Sequence, residues 1–281
     1  MKSSLNPLVI GLGKIGSSVV NTLAQKSISV TGLARNPRIH YQLFTQADFI
    51  QADASNLASK TLFPFKQIIV IVSPDKPTPE GYTQTYLAIA KQLSAYHKQL
   101  KNLEHLIFIS STSVYGQNKG EWVDEETLPL RPTKENSQIL LQAERTFTAA
   151  FQNKVTIIRP SEIYGMERLY RIQQIQKNNH FSSMEEKWTN RIMDKDLINI
   201  IIQVLLSPHP KALYLATDYQ PVTNLQLTKW LCHRLKYPTP EFFKNHITSS
   251  GKRVHSNIPL AWLQYPDWKK GYKEILDKLS F

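Results

Sequence analysis

Residues 8 to 16 read LVIGLGKIG, a short apolar run broken by glycine and resumed at helical spacing. That pattern constrains the chain to a β-strand turning directly into an α-helix, the start of a parallel α/β sheet. Gly11, Gly13 and Gly16 keep the G-x-G-x-x-G spacing. Gly11 permits a tight turn, Gly13 lets a phosphate approach the backbone, and Gly16 lets the helix pack closely on the strand. Amides at the helix start, those of Lys14 and Ile15 among them, would then face a pyrophosphate. The motif therefore predicts a dinucleotide-binding turn.

The rest of the first half repeats the alternation. Strands are predicted at 28–34, 49–53, 67–72, 105–110 and 155–160, with helices over 14–26, 83–100 and 137–150. Short apolar strands separated by helices specify a doubly wound parallel sheet of Rossmann type. Beyond Ile163 the rhythm becomes irregular: a helix over 195–206 ends at SPHP, a late strand follows at 212–216, and another helix covers 224–236. The expected division is a dinucleotide-binding core over 1–160 and a small substrate lobe over 161–281, with late segments returning to the core and no flexible linker.

Composition narrows the classes. The 41% hydrophobic and 20% charged content fits a globular chain. One cysteine, Cys232, excludes an internal disulfide framework and fits a cytoplasmic setting. No apolar segment approaches the roughly 20 residues of a membrane span. Net charge is +12, and 19 basic against 11 acidic residues lie in 151–281. These charges are scattered, without a Lys/Arg run or a basic–aromatic repeat, so they argue against nucleic acid and fit an ordinary basic surface or a phosphorylated small ligand. The histidines are dispersed and no C-x-x-C or H-E-x-x-H spacing occurs, so no metal site is expected.

The end of the second strand bears on the choice of dinucleotide. An acidic residue there would pair with the adenosine ribose and repel a 2′-phosphate. The chain instead reads VTGLARNPR, with Arg35 and Arg38 and no carboxylate, which favours NADP over NAD. Asp53 is placed to hold the adenine, while Val72, Ser73 and Ser110 would line the cofactor.

Further motifs follow: ISSTSVYG at 109–116, the pair Ala143–Glu144, IIRPSEIYG at 157–165, NRIMDKDL at 190–197, SGKRVHSN at 250–257 and YPDWKKG at 265–271. Together with GLGKIG they resemble the extended short-chain dehydrogenase/reductase superfamily, specifically bacterial NAD-dependent epimerase/dehydratase or nucleoside-diphosphate-sugar epimerase-like proteins. The resemblance covers almost the whole chain. It implies a serine that polarises the reacting oxygen, here Ser111, and a tyrosine–lysine pair. Counting back from Glu144 puts Asn136 and Leu140 where that pair belongs, and no tyrosine occurs between Tyr115 and Tyr164. Asparagine cannot relay a proton as a phenolate, and leucine offers neither charge nor donor.

The resemblance also brings Ser113, Glu162, Tyr164, Arg168, Arg191 and Asn257 towards a substrate. Arg168 and Arg191 would grip a diphosphate or carboxylate, although for Arg191 an ion pair with Asp194 or Asp196 weighs equally. The implied activity is NAD(P)-dependent epimerase- or reductase-like chemistry on a nucleotide sugar or small hydroxy/carbonyl metabolite. The alternative is a catalytically weak or inactive cofactor-binding regulator or redox-state sensor. A homodimer through the helices at 83–100 and 136–150 is an option among such relatives.

Overall fold

A computed structural model describes residues 5–36, 43, 46–177, 186–239 and 250–279. Strands β1 to β7 are Leu8–Ile10, Thr31–Ala34, Asp48–Gln51, Gln67–Val70, His105–Ile109, Lys119–Val123 and Val155–Pro160. Strands β8 to β13 are Glu162–Tyr164, Lys187–Thr189, Arg191–Met193, Leu213–Ala216, Val222–Thr223 and Ser250–Val254. Helices α1 to α4 are Lys14–Gln25, Pro79–Tyr82, Ala88–Ala95 and Glu135–Phe151. Helices α5 to α8 are Tyr170–Gln176, Asp194–Leu206, Asn224–Leu235 and Trp268–Lys278.

Seven strands make the main sheet in the order β11-β7-β5-β4-β1-β2-β3. The registered pairs from β3 through β7 are all parallel. β1 and β4 are buried along their whole length, which is why they read as unbroken apolar runs rather than alternating ones. The fold is the doubly wound α/β sheet expected from the sequence.

The largest departures from the expected boundaries each have a local reason. The second strand starts at Thr31, because Ser27 takes a left-handed φ of 57° and Ile28 N still donates to Leu23 O, closing α1 first. The third strand stops at Gln51, since Asp53 caps a short 3₁₀ turn at Ala54–Asn56 through Ser55 N. The helix expected over 83–100 begins earlier at Pro79, capped by Thr78, passes through a π turn at Thr83–Leu87 and ends at Ala95.

The chain forms two compact units. The first comprises Met1–Val114, Arg131–Arg159 and Ile198–Tyr214; the second comprises Tyr115–Leu130, Pro160–Leu197 and Leu215–Phe281. In the first unit a buried ion pair ties α4 to the sheet: Arg159 donates to the Glu144 carboxylate from Nε at 3.0 Å and Nη2 at 2.6 Å. Ser110 Oγ donates to the same carboxylate. The second unit is built around Tyr164, Met193, Leu227, Leu231, Trp268 and Tyr272, and holds a four-stranded sheet in the order β12-β9-β13-β6. Among the described residues, no helix is long and apolar enough to cross a membrane.

With side chains only 8% and 5% exposed, the Arg159–Glu144 pair has no water to compensate a missing partner. Arg159→Met should lower unfolding free energy by about 3–5 kcal/mol, because a buried carboxylate loses its cation. Urea denaturation measures this, and a loss below about 1 kcal/mol would show that the pair does not hold α4 in place.

Candidate functional site

The first unit opens a cleft of about 1130 Å³ at the carboxyl ends of β1, β2 and β4. Gly11 turns the chain there at φ +95°, with its N–H donating to Leu33 O at 2.9 Å. A Cβ on Gly11 would lie 2.1 Å from Ile71 O, and one on Gly16 would lie 1.9 Å from Gly11 O. These two glycines are packing requirements. Gly13 differs, because a Cβ there would meet nothing within 4 Å. It faces open cleft and is the N-cap of α1, without a side-chain hydrogen bond to the helix's first amides. The positive end of α1, at Lys14 and Ile15, therefore lacks a side-chain acceptor from its cap. Lys14 is exposed, while Ile15 and Gly16 are buried.

Arg35, Asp53, Val72 and Ser73 all line this cleft. Asp53 accepts from Ser55 N at 2.9 Å and Ser55 Oγ at 2.7 Å. The Ser55 hydroxyl, above all, holds its carboxyl below the usual carboxylate range, so it stays an anionic acceptor. Arg35 is held by Asp75 through two bonds of 2.8 and 2.9 Å, in a well-exposed pair. Such a pair is weak and exchangeable. Arg38 lies outside the described residues.

The serine-rich turn follows β5. Ser110 is buried and directs its hydroxyl to Glu144. Ser111 starts the 3₁₀ turn at Thr112–Val114, and its Oγ accepts from the backbone N of the exposed Ser113 at 3.1 Å. On α4, Asn136 and Leu140 sit one turn apart. Asn136 Nδ2 donates to Pro77 O at 2.9 Å, and Leu140 is 2% exposed. Position 136 is thus a tether to the segment entering α2, and position 140 is core. Two tyrosines that the motif-based reading overlooked, Tyr82 and Tyr86, lie on the neighbouring helical segment with ring centroids 5.0 Å apart. Their signal was present as a pair four residues apart just beyond the fourth strand.

The remaining expected substrate residues belong to the second unit. β8 and β10 run parallel, pairing Arg191 with Glu162 and Met193 with Tyr164. Arg191 is fully buried; Nη1 donates to Thr189 Oγ1 at 2.8 Å and Nη2 to Glu162 Oε2 at 3.2 Å. Its ion-pair partner is Glu162, rather than Asp194 or Asp196. Tyr164 stacks on Tyr272 at 4.7 Å and its hydroxyl crowds Gly271, where only a glycine leaves room. Burial pushes the Tyr164 phenol far up, with Asp218 adding to it. Asn257 accepts from Leu215 N at 2.8 Å, while Arg168 is exposed at the Gly165 bridge. Asp218, missed by sequence reasoning, is buried with its carboxyl pushed up to about 8 by burial, despite Arg191 nearby. No group of His, Cys, Asp and Glu able to hold a metal occurs among the described residues.

A family model described as the NAD dependent epimerase/dehydratase family matches residues 8–203. The chain belongs to that family. A structure from Methylobacillus flagellatus assigned as an NAD-dependent epimerase/dehydratase is 28% identical, with TM-score 0.78, covering 99% of this chain and 100% of the other. UDP-glucuronic acid 4-epimerase from Bacillus cereus, in complex with NAD, is 19% identical with TM-score 0.76, covering 99% and 100%. DesIV, a dTDP-glucose 4,6-dehydratase from Streptomyces venezuelae with NAD bound, is 16% identical with TM-score 0.78, covering 97% and 96%. The last two likenesses establish the shared fold. No curated protein matches the chain.

The free space at Gly13 separates folding from binding. Gly13→Val should leave the melting temperature within about 3 °C, since a Cβ there meets no neighbour within 4 Å. It should weaken NAD and NADP binding at least about tenfold by blocking phosphate approach. Unchanged affinity in a fluorescence titration would remove the pyrophosphate from this turn.

Proposed function

We propose that the first unit binds NADP in preference to NAD, and that the protein is epimerase/dehydratase-like with a non-standard mechanism. The observation carrying this reading is the cleft in which Gly13 stands open beside the start of α1. Gly11, Gly13 and the first amides of α1 would hold the pyrophosphate, Asp53 the adenine, and Arg35 a 2′-phosphate. The bound dinucleotide would supply hydride chemistry. Ser111 would polarise the reacting oxygen. A nucleotide sugar, or another small hydroxy/carbonyl compound, is the proposed substrate class; the NAD-bound relatives that act on nucleotide sugars support it.

A second reading has its own observation. Asn136 is tied to Pro77 O and Leu140 is packed away, so α4 presents no proton donor of the usual kind. A cofactor-binding regulator or redox-state sensor needs none. The two readings share the cleft and differ in turnover.

Arg35 must exchange Asp75 for phosphate if NADP is the ligand. Arg35→Ala should weaken NADP by about tenfold, some 1.4 kcal/mol, and leave NAD within twofold. Asp75→Asn should tighten NADP by removing the competing carboxylate. Calorimetric titration checks both, and an equal loss for the two dinucleotides in Arg35→Ala would reassign Arg35 to the pyrophosphate or to structure.

Turnover separates enzyme from sensor. Reduced-cofactor oxidation with carbonyl substrates should be slow or absent. Where it is measurable, Ser111→Ala should lower kcat by about 10-fold or more with little change in KM, as expected for a donor acting on charge that develops in the transition state. Robust turnover unaffected by that substitution would place the reacting centre elsewhere.

A further inference from the structure

The small sheet of the second unit holds an arginine whose hydrogen-bonding edge the fold leaves open. β13 runs between β9 and β6, with Gly251 opposite Trp188 and Arg253 opposite Trp122. Side chains alternate along a strand, so Arg253 shares one face of the sheet with both indoles. Val123 and Val254 alternate to the other face and are buried. The face with the indoles is the outer one: Trp122 is 44% exposed, and His255 is exposed.

Arg253 is fixed on this face from three directions. Its guanidinium carbon lies 5.0 Å from the centroid of the Trp122 ring and 5.0 Å from that of Trp188. The register of β6 skips Gly120, whose φ is +75°, and the carbonyl of that residue accepts from Arg253 Nε at 2.9 Å. His255 extends the stack, 4.1 Å from Trp122 and tilted by 20°. Two rings and one hydrogen bond thus set the plane and direction of the guanidinium before a ligand arrives.

Nη1 and Nη2 remain. Neither has a hydrogen-bond partner among the described residues, and neither is sealed from solvent. Arg159 and Arg191, both buried, each pair with a carboxylate, whereas Arg253 pairs with none among the described residues. A planar fork held between aromatic faces, with two nitrogens open at its edge, matches the paired oxygens of a carboxylate or phosphate. We propose that Arg253 is the binding residue of an oxyanion site on the second unit, with Trp122 and Trp188 as its positioning residues, and that its ligand is a small molecule presenting a carboxylate or a phosphate. The charge around it favours an anion. Burial, and after it repulsion from Lys187, push the Lys252 ammonium down to about 8, with Glu121 opposing less strongly than Lys187 acts. The site involves no residue of the dinucleotide cleft, so it stands or falls apart from the cofactor reading.

All five tryptophans belong to the second unit, so their indole N–H resonances report on it and not on the dinucleotide cleft. The isotope-labelled full chain is titrated at neutral pH and fixed ionic strength with sodium phosphate, sodium acetate and, as control, sodium chloride. The signals followed are the Trp122 and Trp188 indoles, assigned through single Trp→Phe variants, and Arg253 Nε–H. At least one oxyanion should shift all three along a single curve, with a dissociation constant of about 1–10 mM, while chloride does not. The tighter of phosphate and acetate identifies the group that the site takes. Arg253→Lys keeps the charge and loses the fork, so it should weaken binding at least about tenfold. Absence of any shift up to about 50 mM of both oxyanions, or equal shifts with chloride, would overturn the site. Full affinity in a folded Arg253→Lys would overturn it as well. The wild-type titration decides on its own if that variant does not fold.

Discussion

Helix α1 can start where it does only because two side chains are absent. The close approach of Gly16 to Gly11 O, and of Gly11 to Ile71 O, brings the helix start, the β1 turn and the chain beyond β4 into one compact junction. Steric exclusion sets this geometry, not attraction. No other residue type fits either position without moving backbone, and at Gly11 the positive φ excludes it a second time. The cleft follows as a consequence. Once the helix start is pinned beside β1, the open face of Gly13, the N-cap of α1, looks into the space beyond the sheet's carboxyl edge.

Glu144 shows how a residue from a motif can serve the fold. It belongs to the pattern that predicts a catalytic helix, yet its carboxylate takes two bonds from Arg159 and one from Ser110, all inside the first unit. Those bonds hold α4 against β5 and β7. The Ser110 hydroxyl is therefore engaged, and within the serine-rich turn Ser111 and Ser113 are the hydroxyls left nearer the surface. The same logic applies to Arg191 in the second unit. At 0% exposure its cation is stabilised by Glu162 and Thr189, so losing Glu162 would leave a buried charge without its counter-ion, whereas the Glu162 side chain is itself 46% exposed.

Legibility in the sequence followed the range of the interactions. The parallel strands β1, β4, β5 and β7 were readable because burial on both faces writes itself as a continuous apolar run. The small sheet of the second unit was not. β6 and β13 are five residues each, mix glycine and charge, and acquire strand character by pairing, β13 with β9 on one side and with β6 on the other, Arg253 opposite Trp122 and Val254 opposite Val123. Nothing local in KGEWV or SGKRV announces that partner. The glycine turn, with Arg35, Asp53 and Ser73 beside it, was legible because these residues follow the carboxyl ends of neighbouring parallel strands, β2, β3 and β4, around the turn after β1. The burial of Arg191 was not, since its partner Glu162 comes from another strand. The π turn at Thr83–Leu87 was legible only as part of the helix expected over 83–100, because widening a turn shifts the apolar stripe without ending it.

The two helical segments that flank the β4 crossover have divided the polar work between them. α4 presents Asn136, whose amide holds Pro77 O, and the buried Leu140. The segment that Asn136 holds leads into α2 and the π turn, and that turn carries Tyr86, whose ring packs edge-on against Phe108 of β5. The asparagine thus ties the two segments together. Burial, with Tyr82 beside it, pushes the Tyr86 phenol up to about 12, so it stays protonated at neutral pH and is unsuited to proton abstraction. What α4 and the segment it holds contribute at these positions is therefore structural: an amide tether at Asn136, a core side chain at Leu140 and, at Tyr86, a phenol kept neutral by burial.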